Sequence, residues 1–192
     1  MAPADLDAVV GLHERLIEDS AFSRFGPGVL KAVYRGGLAS PSGAGWVCPG
    51  PGGGIVGFVF GARDTRRLFR DILAGQWPAL AWGAAAGLLR RPGLLRRLQE
   101  IPSYFGKAGE SAGAAELLFI AVEPRQRGEG IAQALVGAAL DAFSAEGIAR
   151  VAVTVSEGNV APGRLLEGFG FRRARSFEFL GRKRALFLAE LP

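Results

Sequence analysis

Apolar residues recur at three- and four-residue spacing over two N-terminal stretches. Leu6, Val9, Val10, His13, Leu16 and Ile17 share one side of a helix predicted over Asp5 to Asp19, and Gly28 to Leu38 reads as a second, short helix carrying Tyr34. The pattern then shifts to strands. Gly45 to Cys48 and Ile55 to Ala62 flank the turn PGPGGG, which predicts a hairpin. Glu116 to Val122 reads as a strand whose alternation puts Glu116, Leu118, Ile120 and Val122 on one side and Leu117, Phe119 and Ala121 on the other. A helix predicted over Gly128 to Glu146 follows, with Ile131, Leu135, Ala139 and Phe143 on its apolar face beside Ala132, Val136 and Leu140, and Gly147 ends it. Val151, Val153 and Val155 then alternate along a strand over Arg150 to Ser156. Asn159 to Phe171 reads as a short helix started by Pro162 and closed by a Gly-Phe turn. Arg172 to Leu180 and Lys183 to Glu190 read as two strands joined around Gly181, with Phe177 and Phe179 packed on one face.

Between the strand at Ile55 and the strand at Glu116 lies a segment, Thr65 to Tyr104, long enough for two or three helices broken at Pro78 and at Arg91-Pro92-Gly93. Ile72 to Leu89 carries no charge, includes Trp77 and Trp82, and precedes Arg90, Arg91, Arg96 and Arg97. Gln76, Pro78 and the Ala/Gly content argue against a membrane span. An amphipathic helix on an anionic membrane surface remains open, but the leading expectation is a helical lid packed on the domain or on a partner subunit, so a homodimer is open too.

The chemistry concentrates in Glu116 to Ala132, ELLFIAVEPRQRGEGIA. Here an apolar strand enters a turn in which Arg125, Gly128 and Gly130 spell R-x-x-G-x-G before a helix opens. Glycines let backbone approach a ligand closely, and the first helical turn leaves unpaired N–H groups at the positive end of the helix dipole. Together they form a cradle for a pyrophosphate. A dinucleotide fingerprint would need G-x-G-x-x-G and a P-loop G-x-x-x-x-G-K followed by Ser or Thr; neither is present.

This spacing, after a strand ending in Val-x-Pro, resembles motif A of the GNAT acyltransferases. NVAPGRLLEGFGF, from Asn159 to Phe171, is similar to that family's motif B, N-x-x-A-x-x-x-Y-x-x-x-G-F. The resemblance covers roughly Glu116 to Phe171 and, more loosely, the chain. It implies an α/β (α+β) fold: a mixed, mostly antiparallel sheet flanked by helices, with a helical insertion (65–104) before the motif A strand, in a single domain over 1–192. It further implies that acetyl-CoA is the cosubstrate. Its pyrophosphate would meet the amides of Arg127, Gly128, Glu129, Gly130, Ile131 and Ala132. Its pantetheine arm would pair with the strand end at Ile120, Ala121 and Val122, an amide near Val122 would polarise the thioester carbonyl, and Asn159 would hold the arm or a water. Arg125, Arg127 and Arg164 are the basic groups placed for the phosphates. The acceptor is a primary amine on a small molecule or peptide, and the helical pair near the N-terminus borders its pocket.

Motif B departs from the family at Leu166, where many members carry a Tyr proposed to protonate the departing thiolate. A thiol of pKa about 8.5 leaves readily near neutral pH, so an acid is dispensable. The amine is the harder problem, because an alkylammonium of pKa about 10.4 must lose a proton at a cost of roughly 4 to 5 kcal/mol at pH 7. Glu116 matches the position of a catalytic Glu in several members of the family and is the candidate base; its alternative is a solvated strand-end carboxylate. Ser156 and Glu157 are the fallbacks. A non-catalytic acyl-CoA-binding or regulatory module would keep the cradle and lose acid and base, and Leu166 keeps that reading open.

At 192 residues the chain fits one core, burying about 70% of its unfolded surface. Its start, MAPADLDAVVGLHERL, has no basic stretch followed by an apolar run, so no secretory signal and a cytoplasmic location are expected. A lone Cys48 excludes an internal disulfide and a Cys-based metal cluster, and no metal site is expected. His13, the one histidine, reads as a packed helix residue rather than a base. The net charge of +5 suits a phosphate-rich ligand, and without a zinc, helix-turn-helix or aromatic RNA-binding motif it does not point to nucleic acid.

Overall fold

A computed structural model describes residues 1–17, 20, 22–90, 114–157, 160–179 and 181–192. Its strands are β1 (Gly43–Pro49), β2 (Ile55–Ala62), β3 (Ala115–Val122), β4 (Arg150–Ser156), β5 (Arg172–Phe179) and β6 (Arg182–Glu190). They form one sheet in the order β1-β2-β3-β4-β6-β5, antiparallel throughout except where β3 runs parallel to β4. The helices are α1 (Leu6–Leu16), α2 (Pro27–Ala39), α3 (Thr65–Arg90), α4 (Ile131–Ala145) and α5 (Val160–Gly168).

The sheet divides two cores. On one face Leu6, Val9, Leu30, Tyr34, Leu68 and Ile72 from α1, α2 and α3 pack on Phe58, Phe60 and Ala121. On the other, Leu135, Val136, Ala139 and Phe143 of α4 and Leu166 of α5 pack on Val59, Leu117, Val151 and Val153. Helices α1, α2 and α4 bury the apolar stripe their periodicity announces, whereas the strands of the middle of the sheet bury both sides.

Several elements differ from expectation. The first helix stops at Leu16, because Ile17 (φ −121°, ψ 59°) leaves helical geometry; residues 18 and 19 lie outside the described set. Pro78 does not break its helix: α3 runs unbroken from Thr65 to Arg90 with Pro78 inside it. A proline removes one hydrogen bond and frees the carbonyl four residues back. That residue, Ala74, is exposed, so solvent takes up the freed carbonyl, and burial of Leu68 and Ile72 holds the first half of the helix against the core. The break expected at Arg91-Pro92-Gly93, and the remainder of the insertion to Tyr104, fall outside the described residues.

The alternation predicted along β3 holds only in part. Phe60 lies opposite Phe119, but Gly61 lies opposite Leu117, so Leu118 has no partner on β2 and forms a bulge. The phase flips there. Ala115 and Leu117 face α4, and so do Ile120 and Val122 beyond the bulge, while Leu118, Phe119 and Ala121 face α1 and α2. Glu116 therefore does not share a face with Ile120 and Val122; it stands with Ala62, on the side of α1, α2 and α3.

Candidate active site

The site is built where β3 and β4 part. They are paired only at Ala115–Val151, Glu116–Ala152 and Leu117–Val153. Beyond that point β3 continues along β2 to Gly57–Val122, and β4 continues along β6 to Ser156–Arg184. Directions of the backbone groups follow from one bond: the Glu123 amide donates to the Val56 carbonyl at 2.8 Å. Hydrogen-bonded and non-bonded pairs alternate along an antiparallel ladder, so Ala121 spends its backbone groups on β2 while Ile120 and Val122 turn theirs toward the gap. The Arg127 Nε–H donates to the Val122 carbonyl at 3.3 Å, as an acceptor left over by the sheet allows. Of the three strand-end residues expected at a ligand, Ile120 and Val122 present backbone groups to the gap and Ala121 does not.

Past Val122 the chain makes a short turn over Pro124–Gln126 and reaches Gly128 (φ 88°) and Gly130 (φ 77°). Both lie in the left-handed region, which a Cβ disfavours, and this is why α4 opens at Ile131 rather than at Gly128 as its apolar pattern suggested. Gly130 is the N-cap and offers no side chain, and the first turn of α4 holds no acidic residue. The Ala134 amide is the first to bond inside the helix, donating to the Gly130 carbonyl at 2.9 Å. Among the described residues, nothing accepts a hydrogen bond from the amides of Gly128 to Gln133. A row of unpaired donors at a helix N-terminus favours an anion through the sum of its dipoles. Gly57 lets the helix come this close to the sheet, since a Cβ there would meet Ile131 and Leu135 at 3.1 Å each. At the far end Arg63 from the tip of β2 grips the Glu146 carboxylate and donates to the Gly43 carbonyl, which fixes the axis of α4. The Glu129 side chain is exposed, so its amide alone belongs to the row. Arg125 and Arg164 are exposed as well, while the Arg127 guanidinium is tied back to β3.

Glu116 sits next to the last rung joining β3 to β4, at the vertex of the gap, and is only 5% exposed. The Thr65 hydroxyl, at the first residue of α3, donates to its Oε2 at 2.9 Å. A buried carboxylate held by a hydroxyl donor is not the solvated strand-end group of the alternative reading. Nothing in the sequence singled out Thr65.

The other candidates are spent elsewhere. Ser156 Oγ accepts from Arg184 at 2.7 Å, and Glu157 is taken up by Arg173 and by the Ser176 hydroxyl at 2.6 Å. Leu166 is 1% exposed and packs in the α4-side core. Asn159 lies outside the described residues. Cys48 is a half-buried residue of β1.

His13 and Tyr34 form a closed pair in the opposite core. Burial lowers the imidazole pKa to about 4 and raises the phenol well above 10, so both are neutral near pH 7. His13 Nδ1 and the Tyr34 hydroxyl are hydrogen-bonded across 2.6 Å, one neutral group to the other. Phe119 meets the imidazole edge-on at 4.7 Å between centroids. Tyr34 itself is fully buried.

The family model described as the acetyltransferase (GNAT) family matches residues 53–171. No curated protein sequence matches. Among solved structures, an N-acetyltransferase from Staphylococcus aureus superposes with a TM-score of 0.64 at 15% identity over 100% of this chain and 96% of its own. The ribosomal-protein alanine N-acetyltransferase of Escherichia coli gives 0.62 at 14% identity, with 100% and 90% covered. A spermidine/spermine N-acetyltransferase from Vibrio cholerae gives 0.59 at 14% identity, with 99% and 90% covered. At these identities the likeness is one of fold.

Proposed function

Because the chain belongs to the GNAT acetyltransferase family, we propose that it transfers an acetyl or other short acyl group from acetyl-CoA to a primary amine by direct attack. The observation that carries this reading is the unpaired row of amides from Gly128 to Gln133 at the mouth of a gap whose vertex holds a buried carboxylate. The row would take the diphosphate. The edge groups of Val122 would pair with the pantetheine arm, with Arg127 yielding its hold on the Val122 carbonyl.

Two chemical tasks remain. The Ile120 amide turns toward the gap and lies nearer the vertex than Val122; it is our choice for the donor that polarises the thioester carbonyl as negative charge develops. Glu116 would take the ammonium proton, directly or through water, and Thr65 orients the accepting carboxylate. With Leu166 unable to donate, the thiolate would leave unassisted. Asn159 retains its role on the pantetheine or a water as an expectation from motif B.

Buried Leu166 also favours a second reading, an acyl-CoA-binding module without turnover. Calorimetry with CoA combined with thiol release from acetyl-CoA across a panel of primary amines separates the two. Heat of binding with amine-dependent thiol release supports transfer; heat without release for any amine supports the binding module; neither removes both.

A further inference from the structure

The outward side of α3 is unlike the rest of the surface. From Ile72 to Leu89 the sequence holds no Asp, Glu, Lys or Arg. One side of the helix lies along α2, where a Cβ at Gly36 would meet the Ile72 Cα at 3.2 Å and a Cβ at Gly83 would strike Val29. The other side leaves Leu73 60%, Trp77 65%, Trp82 79% and Leu89 86% exposed. At 100° per residue the two tryptophans stand roughly 140° apart, flanking an outward sector that holds exposed Ala74, Ala81 and Ala85 and extends over about 25 Å. No helix among the described residues is long and apolar enough to cross a membrane.

We infer that this face of α3 docks on an anionic membrane surface, with Trp77 and Trp82 at headgroup depth and Arg66, Arg67 and Arg70 against lipid phosphates. Charge decides for this occupant over a second copy of the chain. The three arginines are exposed at the N-terminal end of the face and, among the described residues, pair with no carboxylate. The acidic groups beside them bond to neutral donors instead: Asp64 accepts from the Arg67 amide at 2.9 Å, and Asp71 accepts from the Ser40 hydroxyl at 2.5 Å. A second copy laid on the same face would bring the same arginines and, among the described residues of that face from Ile72 to Leu89, no carboxylate to meet them; a layer of anionic phosphates over an acyl interior meets the arginines and the apolar sector at once. Tryptophan suits the boundary because its ring is apolar and its N–H wants a wet partner.

Flotation of the purified full chain with vesicles of phosphatidylcholine, with and without phosphatidylglycerol, tests this at physiological salt. The protein is expected to float with the anionic vesicles only, with a blue shift in Trp emission. Arg66→Gln with Arg70→Gln is expected to weaken partition by about 30-fold, and Trp77→Ser with Trp82→Ser to abolish the blue shift. Both pairs sit on the surface, so unchanged melting and unchanged CoA binding show that the fold is intact. A protein that stays in solution with anionic vesicles overturns the proposal. So does a concentration-dependent doubling of mass in light scattering that the Trp substitutions remove, which would give the face to a second copy.

Discussion

In the proposed reaction the two halves of β3 would serve ligands in opposite ways. From Ile120 through the turn to Gln133 the chain offers backbone: edge groups of Ile120 and Val122, then a run of amides released by two left-handed glycines. At Glu116 it offers one side chain, whose setting is assembled from elsewhere, from Thr65 on α3 and from the neighbouring strands. The backbone half would depend on glycine positions and on how closely α4 approaches the sheet, and little on side-chain identity. The side-chain half depends on the identity of a single residue and on the partner that holds it. Binding and turnover should therefore fail separately.

Glu116→Gln probes that separation most severely. Turnover is expected to fall by about 10²-fold or more while calorimetric CoA affinity stays put; a parallel loss of both would mean that the halves act as one. The two cores differ in a second respect, since the α1–α2 side alone contains a buried histidine. The His13 pKa is near 4 when folded and 6.5 when unfolded, so the unfolded chain binds more protons between those values and stability rises with pH across that window. Acidification from pH 7 to 4 should remove roughly 3 kcal/mol, read by denaturant titration. His13→Leu with Tyr34→Phe should flatten that part of the profile and leave acid sensitivity to the carboxylates.

Gly130→Val attacks the backbone half. Forcing a β-branched residue to φ 77° costs about 1 to 2 kcal/mol, so CoA affinity should drop roughly tenfold, with the pH dependence of turnover on saturating acetyl-CoA unchanged. The smallest effect belongs to Thr65→Val. Losing one donor to the carboxylate should lower kcat/KM about fivefold, and Thr65→Ser, which keeps the hydroxyl, should restore it. Failure of the serine to rescue would make Thr65 a packing residue.

What the chain disclosed beforehand follows the same division. Every strand and the cradle turn were readable, because strand alternation and a glycine pair are local signals. The role of Thr65 was not, since only the packing of α3 on the sheet brings it to Glu116. The bulge at Leu118 depends on register with β2: it lies beside Gly61, where a Cβ would meet the Glu116 carbonyl at 3.0 Å and Phe143 at 3.1 Å, but Gly57 on the same strand marks no bulge, so the glycine alone did not announce it. The rule that proline breaks a helix misjudged Pro78 because it weighs the lost hydrogen bond without the burial that holds the first half of α3 against the core.

The irregularity at Leu118 makes β3 behave as a keyed shaft. Adding or removing one residue between Glu116 and Ile120 would leave the glycine turn intact but rotate the carboxylate through the sheet to the α4 side, away from Thr65. Variation in acceptor choice within this scaffold should accordingly come through substitutions around the gap, never through changes in the length of this strand.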